Sequence, residues 1–134
     1  MPASVLVLGD DTRSFLSVVR SLGRAGHAVH AAPFDRSSPA LRSRYVHSVH
    51  WLPFYLGDGS AWVESLRALV ARLGIDVVLP CDERTILPLN AHRAAFADTT
   101  LGMPEPGAIE ILYDKHRTRA LAIEEGVAVA RGRL

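Results

Sequence analysis

One cysteine, Cys81, and one lysine, Lys115, stand in 134 residues, and both scarcities exclude chemistry. A lone thiol closes no intrachain disulfide and builds no cysteine-based metal cage. Long apolar runs are missing too: nothing approaches the ~18 to 20 residues of a membrane span. The early run Val5-Leu6-Val7-Leu8 is short and has no basic leader before it, unlike a signal peptide. Charge of either sign is not in excess, with 15 Lys and Arg against 14 Asp and Glu and a formal net charge of +1. That balance gives no strong attraction to nucleic acid or to an acidic membrane. The expectation is a cytoplasmic protein with neither nucleic acid nor membrane among its partners. No internal repeat or low-complexity tract is visible.

What is present describes an ordinary, somewhat apolar globular chain: 49% hydrophobic and 22% charged residues, with a mean hydropathy of +0.14. Its length suits one domain with one good core. Ser4 to Leu8 reads as a strand buried on both faces and broken at Gly9, as in parallel sheets. From Arg13, apolar residues at Phe15, Val18, Val19 and Leu22 predict an amphipathic helix ending near Gly26. A strand over 27–32, a helical turn near 40–45 and a third strand over 46–52 follow. Trp62, Leu66, Leu69, Val70 and Leu73 stripe a second helix from Ser60 to Gly74, and 75–79 predicts a fourth strand stopped by Pro80. Residues 82–96 read as helix, kinked or restarted at Pro88, and 101–103 as a last short strand. A short helix to about Tyr113 precedes a final one that Asp114 opens and Gly126 closes, leaving 127–132 extended. Strand and helix alternating with short loops predict an α/β fold, a three-layer Rossmann-like open parallel sheet with helices on both faces.

Open parallel sheets bind ligands beyond the carboxyl ends of their strands, near the reversal of strand order. The loops 9–14, 33–36 and 80–85 should line that edge, which makes Gly9, Asp10, Arg13, Asp82 and Glu83 the expected substrate-binding residues. A dinucleotide fingerprint fails in the first loop, because Asp11 and Ser14 occupy the places of its second and third glycines. A receiver-type magnesium and phosphoacceptor site fails as well, since 46–54 contains no Asp. Asp10 or Asp11 and Asp82 have a second reading as helix caps, and Arg13 one as a surface ion-pair partner. Cys81 reads as a packing residue. His27 and His30, like His47 and His50, stand three apart, so on regular strands each pair points to opposite faces and chelates nothing jointly. Neither a catalytic residue nor a metal ligand is expected within this chain.

Three pieces together resemble a known family: Val5-Leu6-Val7-Leu8-Gly9 with Arg13-Ser14-Phe15 and Gly26-His27, the 75–80 strand with its acidic continuation, and the Asp114-Lys115 helix ending Glu124-Glu125-Gly126-Val127. They look like the amino-terminal (preATP-grasp) domain of ATP-grasp enzymes, the carboxylate-amine ligase superfamily that includes the carbamoyl-phosphate synthase large chain and biotin carboxylase. The resemblance implies a preATP-grasp domain over 1–113 and, over 114–134, a linker helix crossing into a missing carboxyl-terminal ATP-grasp domain. It also implies ATP and magnesium in the full-length protein, with no cofactor bound tightly by this chain alone. Lys115 would be the ATP contact and Asp114 the helix cap, and the substrate a small carboxylate or other anion. The family often places prolines where Ala128 and Ala130 stand, and many relatives carry extra glycines in the first turn. Two other expectations remain: a free-standing module holding an anionic metabolite through Arg13 and Arg36, and a dimerisation domain forming a homodimer.

Overall fold

The computed structural model describes residues 1–9 and 12–132. The chain divides into two compact units, Met1–Met103 and Pro104–Leu134. The first contains β1 (Ser4–Leu8), α1 (Thr12–Arg24), β2 (Ala28–Ala32), β3 (Val46–Val49), α2 (Ser60–Leu73), β4 (Val77–Pro80), α3 (Glu83–Ala91) and β5 (Thr100–Leu101). One-turn 3-10 helices at Pro39–Arg42 and Arg93–Phe96 fill two of the connections.

The five strands pair in parallel in the order β3-β2-β1-β4-β5. β1 is central, and its alternation explains the continuous apolar run. Val5 and Val7 join Phe15 and Val19 of α1 in one core, whereas Leu6 and Leu8 join Trp62 and Leu66 of α2 and Leu89 of α3 in another. Helices therefore cover both faces, and each face of β1 must be apolar. Burying Phe15, Val19, Leu6, Leu8 and Leu66 completely stabilises the two layers by roughly 1.5 to 3 kcal/mol per side chain.

Several predicted boundaries move, each for a local reason. β3 stops at Val49 rather than at residue 52, because β2 ends at Ala32 and the last rung is His50 N–H donating to Ala31 O at 2.8 Å. A bulge also interrupts this edge pair: Val29 faces Val46, but His30 faces Ser48. β4 includes Pro80, opposite Leu8. The proline costs no ladder bond, since Cys81 N–H reaches back to Leu8 O at 2.9 Å, while the Pro80 nitrogen turns toward the side where β5 has already ended. α3 runs through buried Pro88 and ends three residues later at Ala91. Pro88 withholds only the bond to the Arg84 carbonyl and sits too near the helix end for a restart.

In the second unit, α4 (Pro106–Leu112) and α5 (Lys115–Glu124) form a helical hairpin. Asp114 Oδ1 accepts from His116 N–H at 2.9 Å and Arg117 N–H at 3.2 Å, capping α5. Thr118 Oγ1 donates to Ile111 O at 2.6 Å, tying the helices together. Gly126, at φ +71°, closes α5 with Val127 N–H donating to Ala122 O at 2.7 Å. No regular strand forms over 127–132. Among the described residues no helix is long and apolar enough to cross a membrane.

Candidate functional site

The chain leaves β1, fills the β2 and β3 side of the sheet, then returns through α2 to place β4 on the other side of β1. The strand order thus reverses between β1 and β4, and the loops after these strands meet there. Their meeting is close. A Cβ on Gly9 would stand 3.1 Å from both Cγ and Oδ2 of Asp82, and Gly9 adopts φ +116°, where a side chain is strained. The backbone angle favours glycine, and a larger residue would also have to displace the Asp82 side chain by a few tenths of an ångström.

Asp82 is held from its own helix. Its N–H donates to Thr85 Oγ1 at 3.4 Å, and Thr85 Oγ1 donates back to Asp82 O at 2.9 Å and lies 3.1 Å from Oδ1. Thr85 is buried and Asp82 nearly so, and Arg84 approaches the outer carboxylate oxygen at 3.5 Å. Asp82 is therefore the N-cap of α3 and also a wall of the cleft between β1 and β4. Glu83 is exposed in the first turn of α3, and Arg13 is exposed in the first turn of α1. Asp10 and Asp11 lie outside the described residues.

Beside this cleft the loops after β2 and β3 build an aromatic surface against α3. The Arg84 guanidinium carbon sits 4.5 Å above the Phe34 ring, and Arg36 lies 4.5 Å above Trp51. Phe34 and Phe54 hold near-parallel rings, 11° between planes and 6.5 Å between centroids. Tyr55 is fixed edge-on to buried Trp62 and pairs its hydroxyl with His92 Nε2 at 3.0 Å. Phe34, Phe54, Leu56, Arg84, Leu87 and Pro88 surround an open cavity of about 670 Å³. Phe34 falls in a loop expected to line this edge, whereas the loop after β3 that carries Phe54 was not among the expected ones, and the approach of both to α3 was not legible in the sequence. A second cavity, of about 630 Å³, opens between Gly74, Ile75, Phe96 and Thr99, residues that precede β4 and β5. It lies at the amino edge, away from the ends where open sheets bind ligands, so the carboxyl-edge groove is the stronger candidate.

Histidines gather on the β2–β3 edge, contrary to the expectation from regular strands. Ser48 Oγ lies 2.7 Å from His30 Nδ1 and 2.7 Å from His50 Nε2, and the His47 ring meets His30 edge-on at 5.2 Å. The bulge at Val29/His30 and the early end of β3 break the period of two on which that expectation depended. Burial first, then the neighbouring His47 and His50 charges, hold the His30 pKa below its ordinary value. His50 is lowered by burial and by Arg72. Among the described residues no three His, Cys, Asp or Glu side chains form a group able to hold a metal.

In the second unit Lys115 is exposed at the start of α5, where it lines a shallow cavity of about 350 Å³ with Leu112, Thr118, Arg119 and Ala122. Arg119 crosses to Ala130 O at 3.3 Å. Lys115 and Arg119 give this shallow surface a positive character beside Leu112, Ala122 and Val129.

No family model matches this sequence, and no curated protein matches it by sequence. Solved structures do match the fold. The single-chain, multi-domain long-chain acyl-CoA carboxylase superposes with a TM-score of 0.67 at 24% identity over 98% of this chain and 14% of its own. An L-amino acid ligase from Bacillus licheniformis gives 0.68 at 15% identity, covering 96% of this chain and 30% of the ligase. The biotin carboxylase domain of Hydrogenobacter thermophilus 2-oxoglutarate carboxylase, a dimer in complex with MgADP, ADP and bicarbonate, gives 0.63 at 16% identity over 99% and 30%. The fold is the Rossmann-like preATP-grasp fold of carboxylases and ATP-grasp ligases. The chain spans less than a third of each of these three matched chains.

Proposed function

We propose that this chain is the substrate-side domain of an ATP-grasp carboxylate-amine ligase-like enzyme, inactive by itself and completed by an ATP-grasp domain. The near-complete match of its fold to a minor part of carboxylases and a ligase carries the reading. The surface of the second unit is compatible with it: no residue of α5 is buried, and Leu112, Leu121, Ile123 and Val127 are exposed, apolar area that a further domain would cover. The Gly9–Asp82 cleft and the first turns of α1 and α3, with Arg13 and Glu83, would form one wall around a small carboxylate. ATP would supply the phosphoryl group that turns this carboxylate into an acyl phosphate open to attack by an amine. Lys115 and Arg119 would meet the nucleotide phosphates. Magnesium would be held by carboxylates of the completing domain.

The test compares two polypeptides. The 134-residue chain with ATP and magnesium should release no ADP. The same chain continued into an ATP-grasp domain should release ADP only when a carboxylate substrate is added. Carboxylate-dependent turnover by the 134-residue chain overturns the reading, as does a completed enzyme whose ADP release ignores every carboxylate supplied.

A further inference from the structure

We infer that the carboxyl-edge groove takes an aromatic carboxylate, its ring lying against Phe34 and Phe54 and its anion meeting Arg84. The inference rests on the reading of this edge as the substrate side and specifies the class of substrate.

Four observations converge on it. The groove of about 670 Å³ falls within the range of small-molecule sites and stands at the ends of the strands, where this fold class binds ligands. Phe34 and Phe54 are near-parallel, but a centroid separation of 6.5 Å leaves them far from full face contact. Their faces are thus only partly used by each other; Arg84 lies over the Phe34 ring, whereas Phe54 is 69% exposed, with Leu56 and Leu87 exposed beside it, so the ligand ring would rest chiefly on Phe54 and at the edge of Phe34. Water at such a surface is released when a flat apolar body covers it.

The charges favour an anion. Arg84 and Arg36 each hold the guanidinium carbon 4.5 Å from an aromatic centroid, a cation–π approach that still leaves N–H groups to donate hydrogen bonds. The acids nearby are committed to local structure. Asp35 accepts from Ser37 N–H at 2.8 Å and Ser37 Oγ at 2.6 Å, and Asp82 is engaged with Thr85 and packed on Gly9. Glu83, also on the groove, sits in the first turn of α3, where the helix dipole offsets its charge. Arg84 contacts Asp82 only at 3.5 Å, so its fork retains donors for a ligand carboxylate.

Titration of the 134-residue chain with 3-phenylpropanoate, propanoate, 3-cyclohexylpropanoate and 3-phenylpropylamine, followed by backbone amide NMR shifts, tests each element. The aromatic acid should bind roughly tenfold or more tightly than propanoate. Its shifts should centre on Phe34, Phe54 and Arg84. Phe54→Ala, at an exposed position, should abolish that advantage with the spectrum otherwise intact, and Arg84→Gln should weaken binding about threefold to tenfold. Equal binding of the cyclohexyl acid overturns the aromatic specification, and equal or tighter binding of the amine overturns the anion. Equal binding of propanoate at this edge removes the apolar subsite while leaving the substrate-side reading in place. Failure of all four probes overturns the inference, and carboxylate-dependent ADP release by the completed enzyme judges the broader reading separately.

Discussion

Gly9 and Asp82, 73 residues apart in sequence, approach each other across the reversal of strand order so closely that a Cβ on Gly9 would stand 3.1 Å from the Asp82 carboxylate. Gly9 and the cap of α3 are therefore coupled. Gly9→Ala should destabilise the chain by about 1 to 3 kcal/mol through strain at φ +116° together with displacement of Asp82. Urea unfolding measures it, and a change under about 0.5 kcal/mol would show that the loop relaxes freely.

Asp82→Ala removes the cap of α3 and leaves Gly9 itself unchanged. A loss of roughly 0.5 to 2 kcal/mol is expected. Combined with Gly9→Ala, the two losses should fall short of their sum, because the alanine at Asp82 relieves the crowding. Strict additivity in the double-mutant cycle would deny the coupling.

The two faces of the sheet make independent cores. Phe15→Ala and Leu66→Ala, both fully buried and on opposite faces, should each cost about 2 to 5 kcal/mol. Their effects should add within about 0.5 kcal/mol if unfolding remains two-state. A large coupling energy would mean that β1 transmits strain between the layers.

The histidine cluster predicts a pH dependence. His30 and His50 have pKa values lowered in the folded chain from an ordinary 6.5, so the unfolded chain protonates first as pH falls. Their contribution is intact above about pH 6.5 and is lost progressively below it, toward the folded values. His47 and Arg72 add to the repulsion, and Ser48 bridges the two rings. His30→Gln should flatten the fall in melting temperature between about pH 6.5 and 5. An unchanged slope would place the pH sensitivity elsewhere.

Lys115 is exposed and makes no packing contribution to a core, so Lys115→Ala should leave the melting temperature unchanged. In the chain completed by an ATP-grasp domain, nucleotide affinity should fall about threefold to tenfold. Arg119→Ala should act in the same direction, with a small structural cost from its contact to Ala130 O. Unaltered nucleotide binding in both variants would remove the anion site from α5.

Much of the architecture was legible because local signals carried it. The apolar run of β1, the stripes of α1 and α2, the glycines at 26, 74 and 126 and the Asp114 cap each act within a few residues. Those short-range preferences agree with the final fold. The failures sit where a neighbour decides. Pro80 joins a strand because β5 is too short to need its nitrogen, and β3 stops where β2 stops. The histidines converge because a bulge on the edge strand shifts their register. The site divides in the same way. The loops after β1, β2 and β4 could be named from the strand pattern, the loop after β3 was missed, and Asp82 could be recognised as a cap. The approach of Phe34 and Phe54 to α3 depended on how three connections fold over the sheet edge.

By itself the sequence determined a parallel α/β sheet with helices on both faces and a capped terminal helix, since periodicity, caps and glycines are local properties of the chain. Only the tertiary structure decided that Gly9 backs onto Asp82, that Arg84 lies on Phe34, and that a groove opens between the loops after β2 and β3 and helix α3. Such contacts join residues far apart in sequence. They are selected by which faces must be buried and which backbone groups must be paired, and no local pattern encodes those constraints.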